Sequence, residues 1–152
     1  MGSMDVKTLT ICTTILLFKF IITLSMQGNS RFNAGSRPPE DSNLRPGASE
    51  QSFGLQTNAE KHLIEKEMRW NRIVANDLEN IPIGLIIFLV SILARSNEIV
   101  TTICLILFTV GRLGHTIAYA YSLQPYRTVF WVIALLSVLV SSINSIVGSF
   151  AN

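Results

Sequence analysis

Charge is what this chain of 152 residues has least of. Asp, Glu, Lys and Arg make up 14% of it, against about 25% in an ordinary soluble domain, while hydrophobic residues make up 49%. The shortage is concentrated, since residues 80–94, 99–111 and 128–152 contain none of the four. Such runs exclude a disordered chain, a coiled coil and a small soluble domain, and they leave several bilayer spans. The net charge is only +2 and no basic stripe is interleaved with aromatics, so no nucleic-acid partner is expected. Two cysteines occur, Cys12 and Cys104, both inside apolar runs. That gives neither a disulfide framework nor a metal-ligand spacing, so each reads as a buried structural thiol and no metal is expected. The chain lacks an Asn-x-Ser/Thr sequon, and Val6 breaks the myristoylation pattern. Met1-Gly2-Ser3 ahead of a second methionine, Met4, reads as a tag remnant.

The first apolar run, residues 8–26, is long enough to cross ~30 Å of hydrocarbon. Lys19 inside it and Met26-Gln27-Gly28 after it suit a signal peptide poorly, so it is read as a first span. Residues 27–58 change character. Half of these 32 residues are Gly, Pro, Ser or Asn, which predicts an exposed, mobile loop. From Ala59 a polar helical pattern begins, with Asn58 as its cap, and it runs without a stop into apolar sequence. One long helix is therefore expected to start in water and enter the membrane, kinked at Pro82. Loop and helix start occupy 27–69 and the second span 70–94. A turn at 95–98, a third span at 99–121, a turn at 122–126 and a fourth span at 127–150 follow. The fold class is an all-α integral membrane protein, a bundle of four transmembrane helices forming a single domain over 8–150. Segment 27–72 holds seven of the twelve basic residues, which predicts a cytoplasmic loop and places residues 1–7 and the turn at 95–98 on the lumenal side. In the fourth span Ser137, Ser141, Ser145 and Ser149 recur at every fourth position beside Gly148. That stripe reads either as close helix packing or as ordinary tolerance of serine in a span.

Polar residues retained in a span cost a few kcal/mol each unless paired or facing a cavity, so they are functional candidates. Arg69, Arg72, Asn76 and Glu79 are spaced three, four and three apart and share one helical face. Arg112, His115 and Tyr119 repeat that geometry, and Arg127 opens the fourth span at the same level. Any one of these residues reads as a structural tie between helices. Together they read as a ligand site, because the arginines outnumber the nearby carboxylates Asp77 and Glu79. Surplus guanidinium suits an anion whose carboxylates accept forked hydrogen bonds.

Arg72-x-x-x-Asn76-Asp77-Leu78-Glu79-Asn80-Ile81, then Gly111-Arg112-x-x-His115-Thr116-Ile117-Ala118-Tyr119 and Pro125-x-Arg127, resemble the family of membrane-associated proteins in eicosanoid and glutathione metabolism (MAPEG). The microsomal glutathione transferases are its nearer branch here, with microsomal prostaglandin E synthase beside them. The resemblance implies a homotrimer in the endoplasmic reticulum membrane, with the mitochondrial outer membrane as a further location. It also implies glutathione as cosubstrate, bound between subunits near the cytoplasmic face. Arg72, Asn76, Glu79, Arg112, His115, Tyr119 and Arg127 match the glutathione-site pattern, and Arg31 matches a further arginine if a gap is allowed. Arg127 is expected to act on the sulfur. Pro39-Glu40-Asp41 is similar to the end of the family's Asn-Pro-Glu-Asp, with Pro38 in place of Asn. The chain departs from the pattern elsewhere: Val74 stands where histidine is common, Ala75 where the synthase has arginine, and Ser42 where some transferases carry cysteine.

The activity so implied is conjugation of the glutathione thiolate to a lipophilic electrophile, or reduction of a lipid hydroperoxide. An isomerase of the prostaglandin E synthase type uses the same thiolate. A non-enzymatic, lipid-binding member would keep the fold without activating the thiol.

Overall fold

The computed structural model describes residues 3–45, 50–55 and 59–151. Its elements are α1 (Ser3–Ala34), a 3-10 turn (Pro39–Leu44), α2 (Lys61–Leu93), α3 (Glu98–Ala120) and α4 (Tyr126–Ala151), with no strand among the described residues. All four helices are long and apolar enough to cross a membrane, so the chain is an all-α, multi-pass membrane protein. The expected tag remnant at Met1-Gly2 and the expected cap at Asn58 lie outside the described residues. At ~1.5 Å per residue, α1 and α2 each run to roughly 50 Å, well beyond ~30 Å of hydrocarbon. As the sequence suggested, α2 is one helix from polar start to apolar end, continuous through Pro82.

The first helix is longer than composition predicted. It takes in Gln27-Gly28-Asn29-Ser30, which the sequence reading gave to a loop, and ends at Ala34. The stop is Gly35, whose φ of 71° only glycine adopts freely. Its N–H donates to Phe32 O, and the Ser36 N–H donates to Arg31 O at 3.0 Å, which closes the last turn in a Schellman motif. The chain then folds back rather than running free. Buried Gln51 donates to Phe32 O (2.9 Å) and accepts the Arg37 N–H (3.1 Å), while Ser36 donates to Glu67 (2.6 Å). These bonds give the described part of the expected loop a defined course against the end of α1 and the start of α2.

The chain forms two compact units, one of Met1–Lys19 with Asn76–Asn152 and one of Phe20–Ala75. In the first unit each helix buries a stripe at spacings of three and four. Cys12, Leu16 and Lys19 come from α1 and Asp77, Phe88 and Ser91 from α2, while α3 gives Leu105, Phe108 and Arg112. The α4 stripe is Ala134, Ser137, Ser141 and Ser145. Both cysteines are buried and free, as expected. The outer faces carry Ile11, Ile15, Ile83, Ile86, Ile103, Val110, Leu136 and Ile143, all exposed. Apolar outside and partly polar inside is the arrangement lipid demands, because only the interior can satisfy a polar group.

The serine stripe of α4 is used for packing. Ser91 Oγ lies 2.7 Å from Ser141 Oγ, and Asn144 Nδ2 donates to Ser96 Oγ (3.0 Å), Asn97 O (3.1 Å) and Thr101 Oγ1 (3.1 Å). Gly148 completes the stripe, since a Cβ there would sit 2.7 Å from Ser96 Cα. That neighbour is backbone and cannot rotate away. Gly148→Ala should therefore lower the stability of the detergent-solubilised protein by about 1–3 kcal/mol. Gly28→Ala, where nothing lies within 4 Å, should instead raise it by up to about 1 kcal/mol through helix propensity. Thermal melts of the two variants check the contrast, and equal shifts would contradict it.

Candidate functional site

The centre of the first unit is a carboxylate gripped by two cations. Asp77 on α2, 1% exposed, offers Oδ1 to Arg112 Nη2 of α3 at 2.6 Å and Oδ2 to Lys19 Nζ of α1. Arg112, 0% exposed, also donates through Nη2 to Asn76, at 2.8 Å to the side-chain oxygen and 3.3 Å to the backbone carbonyl. A guanidinium has five N–H donors in a fixed fork. Nη2 accounts for two of Arg112's, and buried Nε and Nη1 have no partner among the described residues. The Nδ1 of buried His115 is likewise unpartnered. A buried charged group left short of hydrogen bonds costs more than the ~1–3 kcal/mol of a neutral one, so an acceptor that reached these donors would be held strongly.

The next turn of α3 carries the site outward. Tyr119 meets the His115 ring at 5.7 Å between centroids in an edge-on contact. On its other side Arg127, from the first turn of α4, stacks its guanidinium over the Tyr119 ring at 4.6 Å. That cation–π contact fixes where the Arg127 fork points. Asn76, His115, Tyr119, Arg127, Thr128 and Trp131 line one cavity of about 260 Å³. The charges acting on His115 are Arg112, Lys19 and Arg127 against Asp77, so three cations face one carboxylate. Such a field selects an anion.

Five of the expected site residues thus lie in one neighbourhood: Asn76, Arg112, His115, Tyr119 and Arg127. Glu79 is exposed and lines a second cavity of about 200 Å³ with Asn80, Ile83, Gly84, Phe108, Ala134, Leu135 and Val138. Arg72 and Arg31 belong to the second unit, where both are exposed. Arg31 donates through Nε to Asn71 Oδ1 at 3.3 Å and lines a cavity with Gln27, Gly28, Ser36 and Arg37. Two residues are not legible as site residues in the sequence, Lys19 and Trp131, while Thr128, where the synthase has serine, joins the cavity lining. Asp77 was counted as a nearby carboxylate but not as the partner of Arg112. The missed signal was register, because Asp77 shares the seven- and eleven-residue spacing of Phe88 and Gly84 on the buried stripe of α2. No group of three or more metal-ligating side chains occurs among the described residues.

Asp77 is the only counter-charge that contacts both cations among the ion pairs of the described residues. Asp77→Leu should strand Lys19 and Arg112 in the interior and destabilise the protein by about 3–5 kcal/mol. Chemical or thermal denaturation in detergent checks this, and a variant as stable as the parent would show that water reaches the pair.

The model of the MAPEG family matches residues 9–147, nearly the whole chain. No curated protein matches it at a significant level.

Proposed function

The chain belongs to the MAPEG family, and from that premise we propose that it is a membrane-bound glutathione transferase joining the glutathione thiolate to lipophilic electrophiles. The observation that carries this reading is Arg112, wholly buried with its Nε and Nη1 donors unpartnered, in the same unit as a cavity lined by His115, Tyr119 and Arg127. Glutathione has two carboxylates for guanidinium forks and a thiol whose ionised form is an anion. It fits a field of surplus cations.

Glutathione supplies the nucleophilic sulfur, and the protein's residues set its charge state and position. A thiol of pKa about 8.5 is only about 3% ionised at pH 7. Bringing it to about 6.5 yields roughly three-quarters thiolate and requires about 2.7 kcal/mol. One guanidinium at ~4 Å offers up to about 4 kcal/mol at an effective dielectric near 20. Arg127 is assigned that task, because Tyr119 holds it at the wall of the cavity, at the first turn of α4. Asn76, Arg112, His115 and Tyr119 are assigned to the peptide's amides and carboxylates, Glu79 to its ammonium, and Arg72 and Arg31 to further carboxylate contacts. Glu79 and Arg72 are exposed in the single chain. An exposed carboxylate at the start of a charge-free run is costly in lipid, which supports a homotrimer whose neighbouring subunit covers it. The endoplasmic reticulum membrane follows from the family reading, with segment 27–72 facing the cytoplasm. The same thiolate also serves lipid hydroperoxide reduction. Asn76-Asp77-Leu78-Glu79-Asn80 and Thr128 favour the transferase branch over the synthase.

Purified protein in detergent should conjugate chlorodinitrobenzene only when glutathione is present, and addition of glutathione should raise the ultraviolet absorption of a thiolate. Lipid binding with neither result would favour a non-enzymatic member. Arg127→Ala should lower the thiolate fraction at pH 7 by more than tenfold while changing glutathione affinity modestly. The deficit should shrink as pH rises past the free thiol's pKa. Normal absorbance and turnover at pH 7 in that variant would remove Arg127 from the sulfur.

Protease added to sealed, right-side-out microsomes should cut within residues 27–58. Protection of that segment with loss of the C-terminal end would invert the orientation.

A further inference from the structure

The Lys19–Asp77–Arg112 cluster has one charge more than a tie between helices requires. Either cation with Asp77 would make a neutral buried pair, and a neutral pair is the cheaper way to join two spans. Here each carboxylate oxygen is occupied by a different cation, all three side chains are more than nine-tenths buried, and the sum is +1. The surplus is delivered to one place. Lys19 Nζ and Arg112 Nη2 both face Asp77, while Arg112 Nε and Nη1 remain as unpartnered donors.

We propose that Lys19 is a positioning residue for the anion site: by holding one oxygen of Asp77 it keeps the positive charge of Arg112 from being cancelled, so that a bound anion, rather than Asp77, completes its neutralisation. This rests on the glutathione reading above and deepens it by naming the residue that sets the site's charge. Without Lys19, Asp77 and Arg112 form a closed neutral pair that attracts an anion weakly. At about 8 Å and an effective dielectric near 20, one charge changes anion affinity by about thirtyfold. The charges acting on neighbouring His115 are these three and Arg127, and Asn76 bonds Arg112 as a neutral neighbour. None of them supplies a second carboxylate.

The test uses the full-length protein in detergent, with glutathione binding measured by calorimetry and its ionisation by thiolate absorbance across pH. Lys19→Met should weaken binding about thirtyfold and move the pH at which the bound thiol ionises upward by about 1.5 units. Lys19→Arg should keep both near the parent values. The double variant Lys19→Met with Asp77→Asn should recover affinity relative to Lys19→Met alone, because Arg112 again carries an uncancelled charge. A mere strut predicts the opposite, a further loss in the double variant. The proposal is overturned by a Lys19→Met protein that binds and ionises glutathione like the parent, or by a double variant that binds more weakly still. If Lys19→Met does not fold, Lys19→Gln, which can still hydrogen-bond Asp77 but carries no charge, decides instead: glutathione binding and ionisation like the parent's overturn the proposal. Parent protein that binds no glutathione refutes the glutathione reading itself. Parent binding with Lys19→Met unchanged refutes only the role of Lys19.

Discussion

Asp77 is a carboxylate inside a membrane-spanning helix, and the rest of the first unit is arranged around what it needs. A bare charge at that depth costs several kcal/mol, so partners must come from the protein. Lys19 reaches it from α1 and Arg112 from α3, and these two contacts fix the register of three helices at once. A slide of one residue along either helix would turn a cation toward lipid. The apolar core of Cys12, Leu16, Phe88, Cys104, Leu105, Phe108 and Ala134 lies along the same stripes and supplies shape rather than register. At the other end of the stripes the Ser91, Ser141 and Asn144 network does the same work with neutral groups.

Satisfying Asp77 leaves Arg112 incompletely satisfied, and the proposed site is built on that surplus. The guanidinium is held through Nη2 by Asp77 and Asn76, which aims it, while its remaining donors stay available. The aromatic relay from His115 through Tyr119 to Arg127 then carries positive charge toward the start of α4. An inner cation oriented by a carboxylate and an outer cation oriented by an aromatic ring can treat the two ends of an anionic peptide differently. One end is anchored and the other is ionised. Glutathione is the occupant proposed above.

Much of this could be read from the sequence. Charge-free runs located the helices that span, since hydropathy records the solvent each helix faces. Helical spacing brought Arg112, His115 and Tyr119 onto one face, and the structure places them on one wall of α3. Composition failed at residues 27–34, because Gly28, Asn29 and Ser30 are poor helix formers yet sit in the last turns of a long helix whose stop is Gly35. Spacing also grouped Asn76 with Glu79, although Asn76 lines the cavity with His115 and Glu79 lines the other. A face shared over one turn widens to different neighbours where helices cross. Lys19 was hardest to see. A lone lysine in an apolar run has no local partner, and only the tertiary structure shows that its counter-charge stands 58 residues away.

The central claim is that the surplus positive charge around Arg112 exists to be met by glutathione. A high-resolution structure of the purified protein determined with glutathione tests it most directly. An acceptor atom of glutathione should lie within hydrogen-bond distance of Arg112 Nε or Nη1, with the sulfur beside the Arg127 guanidinium. Glutathione bound elsewhere, with those Arg112 donors satisfied by the protein or by water alone, would contradict it.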